Sequence, residues 1–212
     1  MFFFAPNHYT ELCEIMARYG SDKGGYRGIG QHNYTPYYHR LFSGIRHTAS
    51  AVFEFGIGST SADIRHTMGP NGTPGASLRG WREYFPNANI YSADIDKSIL
   101  SPEYRIFKFF CDQTNRSSIA NLWQIPELKD RLFDVIIEDG LHVFEAQTLF
   151  MEMSLSKVKP GGIYVCEDVP DADFPRWENT LRSLAAKSPG KTFQIVKIDN
   201  PRNKWNSLIV VR

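Results

Sequence analysis

Two acidic clusters close two apolar runs: Glu138-Asp139-Gly140-Leu141-His142 follows Phe133-Asp134-Val135-Ile136-Ile137, and Glu167-Asp168 follows Gly162-Ile163-Tyr164-Val165-Cys166. Short β-branched runs of this kind read as strands. If their sheet is parallel, both clusters lie on its carboxyl edge, where open α/β folds bind ligands. Carboxylates that converge there repel one another unless a cation or a proton holds them together. His142, three residues after Asp139, adds a group that takes a proton near neutral pH. The combination reads as a metal-assisted active site whose substrate must come from elsewhere in the chain.

A second set suggests what shares that edge. Glu54-Phe55-Gly56-Ile57-Gly58 follows the apolar run that starts at Ala51. Its glycines allow close approach of backbone to a ligand, but Ser61 stands where a dinucleotide fingerprint would place its third glycine. Glu54 fits a carboxylate for the ammonium of an amino-acid-like ligand; the plain alternative is a strand-to-loop turn. The run Tyr91-Ser92-Ala93 ends in Asp94, placed for both hydroxyls of a ribose. The next ends in Cys111-Asp112-Gln113, where Asp112 can accept from an adenine amino group or, equally, cap a helix. Glu54, Asp94 and Asp112 closing three successive strands favour a nucleoside site.

The elements that must position these groups alternate. Helical spacing covers Glu11 to Tyr19 and ends at Gly20. A glycine-rich loop, Ser21 to Gly30, precedes a second helix capped by Asn33 or Thr35 with Pro36 in its first turn. Strands are expected at Ala51–Phe55, Asn89–Ala93, Arg105–Cys111, Phe133–Glu138, Gly162–Cys166, Phe193–Ile198 and Ser207–Val211, with helices near Ser77–Tyr84, Ser117–Trp123, Val143–Ser156 and Arg176–Lys187. This predicts an α/β, Rossmann-like, mostly parallel sheet with helices on both faces. Between the last two strands only the turn-rich residues 199–204 remain, too few for a crossover helix, so these strands form an antiparallel hairpin. Residues 1–50 are expected to form an N-terminal helical or lid segment and 51–212 the main domain, with Ser59–Gly75 an inserted loop.

The chain's 212 residues, 24 Lys+Arg against 23 Asp+Glu, give no argument for nucleic acid or an anionic membrane. Cys13, Cys111 and Cys166 share no metal-ligand spacing and read as buried reduced thiols. Met1-Phe2-Phe3-Phe4 is too short for a signal peptide, and no apolar run reaches the roughly 20 residues of a membrane helix. A soluble cytoplasmic protein is expected, and the aromatic N-terminus is compatible with a homo-oligomer.

Glu54-x-Gly56-x-Gly58, Asp94, Asp112 and the closing hairpin resemble class I S-adenosylmethionine-dependent methyltransferases from Ala51 onward. More narrowly, Tyr19-Gly20-Ser21-Asp22-Lys23-Gly24, Gly75-Ala76-Ser77-Leu78-Arg79-Gly80-Trp81-Arg82, Tyr84-Phe85-Pro86-Asn87-Ala88 and Asp139-Gly140-x-His142 resemble metal-dependent sugar O-methyltransferases of the macrocin and mycinamicin type. The Ser59–Gly75 insertion departs from that pattern. The resemblance implies a seven-stranded methyltransferase sheet, S-adenosylmethionine as cofactor and a sugar or glycosylated small molecule as acceptor. It implies Asp139, Glu167 and Asp168 as metal ligands; such oxygen donors favour Mg²⁺ or Mn²⁺. His142 is then the general base, Asp94, Asp112 and Gln113 hold the nucleoside, and Glu54, Gly56, Gly58 and Ser77 face the methionine portion. Asp168 as a loop cap, or His142 as a satisfied histidine at a helix start, are the plainer readings. An NAD-dependent oxidoreductase is disfavoured by Ser61 and Glu54, and a non-catalytic binding module by the full set Asp139, His142, Glu167 and Asp168.

Overall fold

The computed structural model describes residues 1–24, 32–200, 203 and 205–212. The strands are β1 (Phe2–Phe4), β2 (Ala51–Phe55), β3 (Asn89–Asp94), β4 (Ile106–Phe110), β5 (Phe133–Glu138), β6 (Val158–Cys166), β7 (Phe193–Ile198) and β8 (Ser207–Val211). The helices are α1 (Glu11–Tyr19), α2 (Thr35–Phe42), α3 (Ala76–Tyr84), α4 (Arg116–Leu122), α5 (Phe144–Ser154) and α6 (Phe174–Lys187). One sheet runs β1-β7-β8-β6-β5-β2-β3-β4. Only the pairings of β8, with β6 and with β7, are antiparallel. The expected closing hairpin is present; residues 201, 202 and 204 of its connection, and 25–31 of the glycine-rich loop, lie outside the described residues.

Strand alternation builds the two cores. Val52, Ile90, Val135, Ile137 and Val165 face α1, α2 and α3, whereas Phe53, Tyr91, Ile136, Tyr164 and Ile209 face α4, α5 and α6. Period-two burial on both faces explains why the strands read as continuous apolar runs. The helical segment before Ala51 shares the first core through Leu12, Ile15, Met16, Tyr38 and Phe42.

Three local expectations differ. The sheet has an eighth strand: Phe2–Phe4 pairs in parallel with Val196–Ile198. Three residues carry too little periodicity to announce a strand, and only the exposed edge of β7 recruits them. Helix α2 has no side-chain cap. Asn33 instead donates to Asp199 O at 2.9 Å, and Thr35 Oγ1 donates to Cys13 Sγ at 3.1 Å. β6 begins at Val158 because Val158 pairs with Phe133 ahead of a register shift. The three cysteines are free and buried, as expected. No helix among the described residues is long and apolar enough to cross a membrane.

Candidate active site

The carboxyl ends of β2, β3, β4, β5 and β6 line one cleft of about 740 Å³. Its floor depends on Gly56, whose φ is +94° and whose Cβ, if it had one, would lie 2.0 Å from the carbonyl oxygen of Asp139. No other residue allows the end of β2 to cross so close to the end of β5. Gly58, at φ +85°, is similarly covered, with Met68 Sδ 2.2 Å from the Cβ position. The loop 59–75 thus folds back over the glycine motif, held by Met68 N–H donating to Ser59 O at 2.9 Å and Gly75 N–H to Ile57 O at 2.7 Å.

At the β3–β4 end of the cleft, Asp94 accepts from the backbone N–H of Ile57 at 2.7 Å and of Asp96 at 2.9 Å. Burial raises its pKa, opposed by these same N–H donors. Each carboxylate oxygen keeps a further lone pair for a ligand hydroxyl. Asp112 lines the cleft and accepts from Thr114 N–H and Oγ1 at 2.9 and 2.7 Å. Gln113 also borders the cleft, but its amide is committed to protein. Nε2 donates to Glu138 Oε1 at 2.6 Å, and Oε1 accepts from Leu141 N–H at 2.8 Å.

Glu54 departs from expectation. It is fully buried behind the cleft, accepting from Ser77 Oγ at 2.8 Å and Trp81 Nε1 at 3.0 Å. The ammonium it meets is that of Lys23, 3.2 Å away. Burial, only partly offset by Lys23, pushes its pKa up to about 7. Glu138 is buried too, and it accepts from Gln113 Nε2 at 2.6 Å, from Cys166 Sγ at 2.9 Å and from Gly140 N–H at 3.1 Å.

At the other end, Asp139, His142 and Asp168 converge so that one ligand atom from each lies within 4.8 Å of the others. His142 Nδ1 is 3.5 Å from Asp168 Oδ2, and Nε2 is 3.9 Å from Asp139 Oδ1. Burial pulls the pKa of His142 down, but the charges of Asp168, Asp139 and Glu138 outweigh it and the net shift is upward. His142 and Asp168 both hold φ of +55°, a left-handed conformation that costs energy for non-glycine residues and persists where surroundings over-determine it.

Glu167 is one position removed. Its Oε1 accepts from Tyr38 OH at 2.6 Å and its Oε2 from Lys23 Nζ at 2.6 Å. Burial and the charges of Asp139 and Asp168 push its pKa well up, against the pull of Lys23. Asp168 Oδ1 accepts from Tyr34 OH at 2.6 Å and lies 3.3 Å from His32 Nδ1. Burial would raise the Asp168 pKa, but His142, His32 and the Tyr34 hydroxyl bring it below the ordinary value.

Sequence reasoning gave no role to Lys23, Tyr34 or Tyr38, although all three hold the carboxylates. Lys23 stood inside a recognised motif and Tyr38 at a core spacing, and neither pattern indicates an active-site partner more than a hundred residues away. His32 borders the cleft and stacks on Tyr34 at 4.8 Å. The ring of His66, from the 59–75 loop, lies 5.7 Å from that of His142.

The donor set suits a hard divalent cation: Asp139 and Asp168 offer carboxylate oxygens, and His142 Nδ1 is buried with no hydrogen-bond partner among the described residues. Groups left unpaired in such a place normally have a bound partner.

No family model matches the chain. Mycinamicin VI 2''-O-methyltransferase of Micromonospora griseorubida is 34% identical over 173 residues, covering 78% of this chain and 37% of the relative. The 8-demethyl-8-(2-methoxy-alpha-L-rhamnosyl)-tetracenomycin-C 3'-O-methyltransferase of Streptomyces olivaceus is 31% identical over 188 residues, covering 89% and 43%. Among solved structures, the MycE methyltransferase of mycinamycin biosynthesis, in complex with Mg and SAH, superposes with a TM-score of 0.71 at 25% identity, over 97% of this chain and 55% of that one. The chain therefore spans less than half the length of these curated relatives and about half of MycE. By fold and by sequence the chain is similar to these methyltransferases, with O-methyltransferases of the mycinamicin type among its relatives.

Proposed function

We propose that the chain is the catalytic part of a metal-dependent O-methyltransferase that moves the methyl group of S-adenosylmethionine to a hydroxyl of a sugar or sugar-containing metabolite. The observation that carries this reading is the continuity of the cleft. Gly56, Asp94 and Asp112 border one end and Asp139, His142 and Asp168 the other, so a nucleoside cofactor and a metal-bound acceptor would meet between them. The names of the relatives, among them a rhamnosyl-tetracenomycin methyltransferase, support a glycosylated acceptor.

Asp94 and Asp112 would bind the ribose and adenine sides, and the backbone of Gly56–Gly58 the methionine portion. Asp139 and Asp168 would hold Mg²⁺ or Mn²⁺, with Glu167 the third carboxylate of the cluster. A divalent cation bound there lowers the pKa of a coordinated hydroxyl by several units. His142 would accept the hydroxyl proton. Nδ1 lies 3.5 Å from Asp168 Oδ2, so the Asp168 carboxylate would stabilise the imidazolium that forms. Glu138 and Gln113 fix the turn between Asp139 and His142 from behind. Alignment of acceptor oxygen and donor methyl in a shared cleft supplies the remaining rate advantage.

The test is methyl transfer from isotopically labelled S-adenosylmethionine to a panel of deoxysugar glycosides, with and without chelator. The expected result is a methylated sugar hydroxyl formed only when divalent metal is present. Thermal stabilisation by NAD⁺ and none by S-adenosylhomocysteine would overturn the reading.

A further inference from the structure

Lys23 is 1% exposed, yet it carries an ammonium. Its Nζ lies 2.5 Å from Asp139 Oδ2, 2.6 Å from Glu167 Oε2 and 3.2 Å from Glu54 Oε1. These three carboxylates form by themselves a second group with the spacing of a cation site, and Asp139 belongs to both groups. One Asp139 oxygen faces Lys23 and the other faces His142. Among the described residues that border the cleft are Ser21 and Asp22 but not the lysine. Its backbone is pinned as well. The carbonyl accepts from Tyr34 N–H at 3.1 Å and Thr35 N–H at 3.4 Å, and the N–H donates to Ser21 Oγ at 3.3 Å.

A buried lysine normally sheds its proton unless charges hold it, and here three carboxylates surround one nitrogen. An ammonium fixed at both ends in that position behaves as an immobile counter-ion. We propose that Lys23 is a built-in cation of the centre: its ammonium permanently fills one of two cation positions that share Asp139, and a divalent ion enters only the other, on the Asp168 side. Lys23 is then a positioning residue. It holds Asp139 and Glu167 together against their own repulsion, and it sets the number of metal ions the site accepts. Because it arises in the segment before α2, the same contact docks that segment on the sheet edge, next to the hydroxyls of Tyr34 and Tyr38 that hold Asp168 and Glu167.

The divalent half of this proposal rests on the metal reading above; the Lys23 half is tested without metal. Thermal unfolding in chelator, and Mn²⁺ titration by calorimetry, would be compared for the full chain, Lys23→Ala, Lys23→Met and Lys23→Met/Glu54→Gln. The native chain should bind one Mn²⁺. Lys23→Ala should lose about 10 °C in Tm, as expected for an ion pair broken inside a protein of this size. It should regain much of that in methylammonium and should bind two Mn²⁺. Where single variants fail to fold, the Met pair decides: Lys23→Met/Glu54→Gln should be more stable than Lys23→Met, because one unpaired carboxylate is gone. A Lys23→Ala protein indifferent to methylammonium that still binds one Mn²⁺, or a double variant less stable than Lys23→Met, overturns the proposal. A native chain that binds no Mn²⁺, with Lys23→Ala still responding to methylammonium, overturns the metal reading and upholds Lys23 as the resident cation.

Discussion

The two ends of the cleft satisfy their carboxylates in different ways. At the Asp94 end most of the partners are near in sequence. Asp96 accepts from Ser98 and Asp112 from Thr114, each two residues on, and Asp94 accepts from Ile57, 37 residues away. Backbone N–H groups and hydroxyls do the holding, so each strand end is nearly self-sufficient. At the Asp139 end the partners are distant. Lys23 reaches Asp139 across 116 residues and Glu167 across 144, Tyr34 reaches Asp168 across 134, and Tyr38 reaches Glu167 across 129. That end therefore exists only once the N-terminal helices have docked, and its carboxylates are exposed to any failure of that docking. The first end is set by local turn geometry and the second by tertiary assembly.

Substitutions can break that contrast, and the largest expected effect is at the base. His142→Ala should lower turnover by about 10²–10⁴-fold, the usual share of general-base catalysis, while S-adenosylhomocysteine affinity stays within error; calorimetry alongside steady-state rates checks both halves of the statement. Gly56→Ala tests the seam itself. It imposes a positive-φ alanine and a Cβ against the Asp139 carbonyl, so it should destabilise the protein by about 3 kcal/mol or more and weaken both ends together, read by denaturant unfolding. Tyr38→Phe removes a hydroxyl from the buried Glu167 and should cost about 2 kcal/mol, with Mn²⁺ affinity falling and cofactor affinity held. Asp112→Ala should do the reverse, weakening S-adenosylhomocysteine about tenfold with Mn²⁺ affinity unchanged.

A control sits at the opposite edge of the sheet. Burial alone would raise the Asp134 pKa, but Lys159 at 2.8 Å and the N–H groups of Ser50 and Ala51 outweigh it and hold it low. A depressed folded pKa stabilises above the unfolded value of about 3.9. That contribution disappears as pH falls from there through the folded value. Allowing for solvent screening it amounts to about 1 kcal/mol. Asp134→Asn should therefore flatten the acid limb of the unfolding curve below about pH 4 and leave both ends of the cleft unaltered.

The same contrast explains what could be read in the sequence. Gly56, Gly58, Asp94 and Asp112 stand at strand ends whose spacing is visible in the chain, and the structure brings all four to one cleft. Asp139, His142 and Asp168 were legible as a cluster because two neighbouring strands end in them. Glu54 misled because its position in the motif says nothing of which side of the strand end its carboxylate takes; Ser77, Trp81 and Lys23 decide that. Lys23 stands in a motif that gives the lysine no role of its own, and Tyr38, on an apolar helical stripe, has an ordinary explanation. Phe2–Phe4 became a strand only because β7 had an edge to offer.

The most direct test of the account is a crystal of the full chain grown with S-adenosylhomocysteine and Mn²⁺, with the metal located by its anomalous signal. The account predicts one Mn²⁺ bound by Asp139 and Asp168 within reach of His142, the nucleoside between Asp94 and Asp112, and Lys23 still seated on Glu54 and Glu167. A Mn²⁺ peak elsewhere, or a nucleoside lying at the Asp139 end, would contradict it.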